Sequence, residues 1–188
     1  MKAIQLTQFG IEHLQLTEIP VPAIDENEVL VKTTAVALEF HDLIVVENRI
    51  PFGIPLPHIP VSEGVGVVES VGSKVSRWKK GDRVMIPFIS RWEAGKNTPY
   101  NDQLRTGFSL PGLLAEYTVQ PENTLVRTPN NLTDEEAAPL PVTGKAIQLD
   151  PGATRTGRAW RRIKFYASPQ DTFAFRSIIR HEYALLQL

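Results

Sequence analysis

Residues 57–84 read PHIPVSEGVGVVESVGSKVSRWKKGDRV, and the fold follows from how this stretch is punctuated. Glu63–Val71 (EGVGVVESV) is a valine-rich run closed by Gly72, which predicts a strand. Lys80–Gly81–Asp82 then supplies a turn before another short strand. Gly64 and Gly66 fall inside the first strand, where glycine allows a bend or close backbone packing. They do not make a dinucleotide fingerprint, which needs a strand before it and a helix after it. Upstream, four prolines between Pro51 and Pro60 forbid helix and deny ladder donors, so this stretch is an ordered loop. Glu28–Leu38 (EVLVKTTAVAL) has the β-branched content of a strand in the middle of a sheet. Lys2–Gln8 and His13–Ile19 alternate like half-buried strands joined by a turn at Gly10, and Leu113–Val119 and Thr124–Val126 add two more. Short helices are predicted over Phe40–Asn48 and from Thr133, where Thr-Asp-Glu-Glu forms a capping box. The resulting class is mainly β with short helices, arranged as a small, partly open β-barrel.

The chain has 188 residues, 42% hydrophobic and 22% charged, which is globular composition and enough for one domain with its own core. A net charge of −1 argues against a general nucleic-acid or membrane-surface protein. The absence of cysteine excludes disulfides, thiolate zinc sites and cysteine nucleophiles. Neither a signal peptide nor an apolar run approaching the ~18 residues of a membrane span is present, which implies a soluble, cytoplasmic protein. The average conceals a seam. Residues 1–144 carry 12 basic and 18 acidic residues, and residues 145–188 carry 8 and 3. That shift predicts a domain over 1–144 and a separate basic tail over 145–188, partly helical or disordered. Phe175, Ile178, Ile179, Tyr183 and Leu186 in the tail follow helical spacing, so this segment offers an amphipathic helix to its own domain or to a second copy in a homodimer.

Polar candidates cluster at one place. Glu39, His41 and Asp42 directly follow the apolar strand ending at Leu38, and strand ends commonly expose functional groups. His41 and Asp42 serve equally well as caps of the helix that starts there. The four histidines, His13, His41, His58 and His181, lack metal-ligand spacing. Gly152–Ala159 (GATRTGRA) misses the lysine and hydroxyl of a phosphate-cradling loop, and reads as a flexible connection. The basic aromatic run Gly157–Tyr166 could stack on single-stranded nucleic acid, but a solvated tail explains it as well and nucleic-acid binding is not expected.

In order along the chain, MKAIQL, EVLVKTTAVAL-EFHD, the pattern I-P-x-x-E-G-x-G-x-V-x-x-V-G followed by G-D-R-V, and LAEYTVQPENTLVRTPNNLTDEEAAPLPVTG resemble the medium-chain dehydrogenase/reductase superfamily. The similarity is to its N-terminal GroES-like domain, and most of all to zinc-free, quinone-oxidoreductase-like members. The resemblance implies NAD(P)H-dependent hydride transfer to a quinone, enone or carbonyl, with a small-molecule substrate. It also implies that Glu39 and Ser62 replace the Cys and His zinc ligands of the zinc enzymes, and that Glu63 alone of that motif is kept. The loop Phe88–Gly112 lacks the four cysteines of a structural zinc site. A lone carboxylate without Cys or His cannot complete the usual three-ligand set, so no metal is expected. Phe40, His41, Asp42 and Trp92 are the implied pocket residues, with Asp42 in a supporting role.

The resemblance ends near Thr143. In the family a Rossmann domain follows, built from βαβ units of ~30 residues each. The 44 residues of 145–188 cannot build one, so no cofactor site is expected in this chain. The expectation is a truncated oxidoreductase that keeps the substrate-side domain and is inactive alone, its tail arising by frameshift, rearrangement or fusion. The alternative is a non-catalytic binding or dimerisation module on the same barrel.

Overall fold

The computed structural model describes residues 1–49, 53–90 and 104–142. Seven strands are formed among them: β1 (Lys2–Leu6), β2 (Leu14–Glu18), β3 (Glu28–Ala37), β4 (Glu63–Val71), β5 (Arg83–Ile86), β6 (Tyr117–Pro121) and β7 (Val126–Arg127). Two short helices, α1 (Phe40–Val46) and α2 (Asp134–Ala137), and a 3₁₀ turn at Ile11–His13 complete the set. All pairings between these strands are antiparallel. β1 and β2 form a two-stranded sheet, and the other five run in the order β6-β3-β4-β5-β7. Single bridges, Ala3 to Ala115 and Leu6 to His58, tie the small sheet to the rest. The architecture is therefore mainly β with few helices, as the sequence implies. It is two sheets stitched by bridges rather than one closed ladder.

Three elements depart from expectation. Leu113–Ala115 is not the start of β6. It bends at Leu113 and Leu114, where the Leu113 N–H bonds to Val61 O, and Ala115 bridges to Ala3, so the segment changes partners before the ladder with β3 begins. Thr124 likewise belongs to a turn, donating through Oγ1 to Pro121 O, and β7 starts at Val126. α1 ends at Val46, two residues before the expected Asn48.

The core lies on one face of the large sheet, where Val29, Val31, Val68, Trp78, Val84, Ile86, Leu113 and Leu125 pack together. The opposite face at the β3–β4 end is covered by α2, through Val65, Ala137 and Ala138 with Ala35 and Ala37. Simple alternation would put Val31 and Ala35 on the same face. The register breaks between Thr33 and Ala35, and the extra residue of this bulge swaps the faces. Opposite the bulge, β4 is pressed on β3: a Cβ on Gly66 would stand 2.3 Å from Lys32 O, and one on Gly64 2.6 Å from Ala35 O. Only glycine permits that approach.

α2 begins with the predicted capping box, Thr133 Oγ1 accepting from the Glu136 N–H and the Glu136 carboxylate from the Thr133 N–H. Residues 140–142 enter a further helical turn. Among the described residues no helix is long and apolar enough to cross a membrane. The tail 145–188, its amphipathic segment, Gly152–Ala159, Gly157–Tyr166, His181 and Trp92 lie outside the described residues.

Candidate active site

The site forms where the end of β3, the first turn of α1 and the start of β4 meet. β3 delivers Glu39 to the N-cap of α1 in extended conformation. Asp42, three residues on, turns back so that its Oδ2 accepts the Glu39 N–H at 2.8 Å. Its Oδ1 accepts the Ser62 N–H at 3.1 Å. Asp42 is 1% exposed, and the two contacts fasten the helix start to the chain entering β4. Burial raises its pKa to about 6, against the opposing pull of the Glu39 N–H and of the hydroxyl and N–H of Ser62. Of the two readings open for Asp42, cap or reacting group, these bonds describe a cap that also bridges two elements.

The entry to β4 is strained. Val61, fully buried, has φ +79°, a left-handed conformation that a β-branched residue adopts only under constraint. Its carbonyl is held by the Leu113 N–H. The chain then turns so that Ser62 presents its N–H to Asp42 and Glu63 points inward, on the same face of β4 as Val65.

Glu63 is 0% exposed. Its Oε2 accepts the Val142 N–H at 2.8 Å, from the helical turn beyond α2. Its Oε1 is buried without a donor. Burial first, then the adjoining Glu39 carboxyl and the charge of Asp42, push the Glu63 carboxyl far above the usual carboxylate range, and the Val142 N–H offsets only part of this.

The mouth of the site is aromatic. Phe40 is 47% exposed, with the Arg49 guanidinium 5.5 Å from its ring centroid. His41 is exposed, with Nδ1 3.6 Å from Glu39 Oε2 and its ring stacked on Phe88 at 6.5 Å. Phe88 meets Phe108 edge-on at 5.2 Å. The structure thus brings together Glu39, Phe40, His41, Asp42, Ser62 and Glu63. It adds Phe88 and the Val142 N–H, which sequence reasoning missed. The aromatic following β5 was a readable signal for Phe88, but Val142, 79 positions from Glu63, had none. His58 stands apart: its Nε2 contacts Gly107 O at 3.0 Å, and burial lowers its pKa, which makes it a packing residue.

The donor chemistry at this site does not suit zinc. Glu39, Ser62 and Glu63 offer oxygen only, and the His41 imidazole that reaches Glu39 at 3.6 Å stands largely in solvent. Among the described residues no group of three His, Cys, Asp or Glu is arranged to hold a metal ion. Nor do Gly64 and Gly66 suit a dinucleotide, since the backbone of β3 fills the space against them.

Comparison with known proteins agrees with this fold. Residues 25–130 match the alcohol dehydrogenase GroES-like domain. A zinc-type alcohol dehydrogenase-like protein of Schizosaccharomyces pombe is 36% identical over 133 residues, covering 70% of this chain and 38% of that protein. The solved structure of an NAD-dependent alcohol dehydrogenase superposes with a TM-score of 0.68 at 35% identity, covering 76% of this chain and 44% of its own. A quinone oxidoreductase from Pseudomonas syringae pv. Tomato DC3000 gives 0.61 at 31% identity, covering 78% and 39%. The chain belongs to the alcohol dehydrogenase GroES-like family, and carries the N-terminal domain of the medium-chain dehydrogenase/reductase superfamily. It spans about two-fifths of the length of these relatives.

Proposed function

We propose that residues 1–142 form the substrate-side domain of an NAD(P)H-dependent oxidoreductase that reduces a quinone, enone or carbonyl without zinc. The observation that carries this reading is the oxygen-only donor set of Glu39, Ser62 and Glu63, at the place where zinc-bearing relatives hold their metal. Without a Lewis acid at this point, alcohol oxidation through a metal-bound oxygen has no support, and positioning of the acceptor becomes the domain's task. Phe40 and the His41–Phe88 stack present an apolar, aromatic mouth suited to a planar conjugated acceptor. In this reading His41, beside Glu39 and open to solvent, donates a hydrogen bond to the oxygen on which negative charge develops. The hydride must come from a cofactor held outside the described residues.

Fusing residues 1–142 to the remaining portion of the Pseudomonas syringae quinone oxidoreductase tests this reading. The expected chimera reduces quinones with NAD(P)H at a rate that a metal chelator leaves unchanged. Alcohol oxidation abolished by the chelator would contradict it. The 188-residue chain by itself is expected to show no saturable micromolar binding in a fluorescence titration with NADPH.

A further inference from the structure

β6 is an edge of the five-stranded sheet, paired with β3 on one side only. Bonds from the Thr33 N–H to Glu116 O and from the Glu122 N–H to Asn27 O fix the phase of that ladder. Thr118 and Gln120 therefore turn their N–H and C=O groups to β3, and Val119 turns its own away. Among the described residues nothing meets the Val119 N–H or C=O. A hollow of about 470 Å³ lies here, walled by Met1, Ile19, Pro20, Leu110 and Pro111. All five residues of β6, odd and even alike, line it, so it follows the edge of the strand rather than one face. Unpaired backbone groups beside an apolar hollow are the layout by which a sheet takes on an added strand. The charge there is of one sign. Glu28 lines the hollow, opposite Pro121, and Glu116 and Glu122 flank β6 at its two ends. Each carboxylate accepts backbone N–H groups, and among the described residues none is paired with a Lys or Arg side chain.

The remaining chain carries a match in pattern and charge. Residues 145–188 hold 8 basic and 3 acidic residues, against 12 and 18 over 1–144. Within them Arg161–Ala167 reads RRIKFYA. Ile163, Phe165 and Ala167 alternate with Arg162, Lys164 and Tyr166, the pattern of a half-buried strand, and Pro169 stops the run. Arg161 follows Val142 by 19 positions. Extended, that tether spans roughly 60 Å, enough to reach any side of a domain whose radius of gyration is about 14 Å. We propose that Arg161–Ala167 of the same chain adds to the outer edge of β6 as an antiparallel strand. Its backbone pairs with Val119, and Ile163 and Phe165 fill the hollow. The antiparallel direction brings Arg161 and Arg162 to the end of β6 where Glu28 and Glu122 stand. This docking does not depend on the hydride-transfer reading and stands or falls separately from it.

Amide hydrogen exchange of the 188-residue chain and its Ile163→Asp/Phe165→Asp variant, followed residue by residue by NMR, tests the docking. The Thr118 and Gln120 amides bond to β3 in either chain and report that the ladder is intact. The expected result is a Val119 amide that exchanges at least about tenfold more slowly in the native chain than in the variant, with Thr118 and Gln120 unchanged. A Val119 amide that exchanges equally fast in both chains, or is equally protected in both, overturns the proposal. Protection that disappears on dilution also overturns it, and gives the added strand to the tail of a second copy. Should the variant fail to fold, carbodiimide cross-linking of the native chain reads the same contact, since Lys164 is the only lysine of the run. A link from Lys164 Nζ to Glu28, Glu116 or Glu122 within monomers is expected. No such link, or one confined to dimers, overturns the docking.

Discussion

At one end of the β4–β5 pairing, carboxylates meet a guanidinium; at the other they are buried against backbone N–H groups. Near Arg83, the first residue of β5, the guanidinium Nε lies 3.0 Å from Asp134 Oδ1 and an Nη2 reaches Leu132 O. Burial works to raise the Asp134 pKa, but hydrogen bonds from Thr34 and Arg83, with the charge of Arg83, outweigh it and lower the pKa. Asp82, in the adjoining turn, is lowered by the Lys79 N–H foremost and by Arg127. At the Glu63 end, Asp42 and Glu63 are raised, chiefly by burial. The same residue types are thus used in two ways. The Arg83 end holds α2 against the sheet, whereas the Glu63 end concentrates desolvated acid beside an open mouth. Groups with pKa values displaced by burial and like charge are the pattern of a functional site, and groups lowered by ion pairs are the pattern of a structural one.

Mutations at the two ends sharpen the contrast. The largest effect is expected for Asp42→Ala, which strips the acceptor from two N–H groups and uncaps α1. It should cost roughly 3 kcal/mol, read as a lower denaturant midpoint with unchanged slope. Gly66→Ala, between the two ends, forces a methyl against the Lys32 carbonyl and should cost about 1–3 kcal/mol by parting β3 from β4. Arg83→Met removes the donors of the structural end, at about 1–2 kcal/mol near neutral pH. Because the folded Asp134 pKa is depressed, the stability it contributes is present above its unfolded pKa and lost as pH falls through the folded value. Native and Arg83→Met chains should therefore converge in acid. The smallest effect is expected for Lys80→Ala. Its 2.6 Å contact with Glu69 is a solvent-exposed pair, and the midpoint should not move measurably.

Local pattern made most of the fold legible. β4 spans the residues its valine and glycine punctuation marks out, and β1, β2 and β3 lie within the expected runs, because alternation reports burial directly. The bulge at Thr33–Ala35 and the partner change at Leu113–Ala115 were not legible, since both are set by what lies across the sheet rather than along the chain. The site was half legible. Glu39, His41 and Asp42 announce themselves as polar residues after an apolar strand. The strain at Val61 and the contact of Glu63 with Val142 arise only when distant segments are folded together.

The central claim is that this domain keeps its buried acid without a cation. Carbon-13 NMR of the side-chain carboxyls, followed through a pH titration of the 188-residue chain, tests it most directly. The account predicts that Glu63 still shows the shift of a neutral acid at pH 7, while Asp134 and Asp82 ionise below the ordinary aspartate value. A Glu63 carboxyl that ionises in the ordinary glutamate range would contradict it.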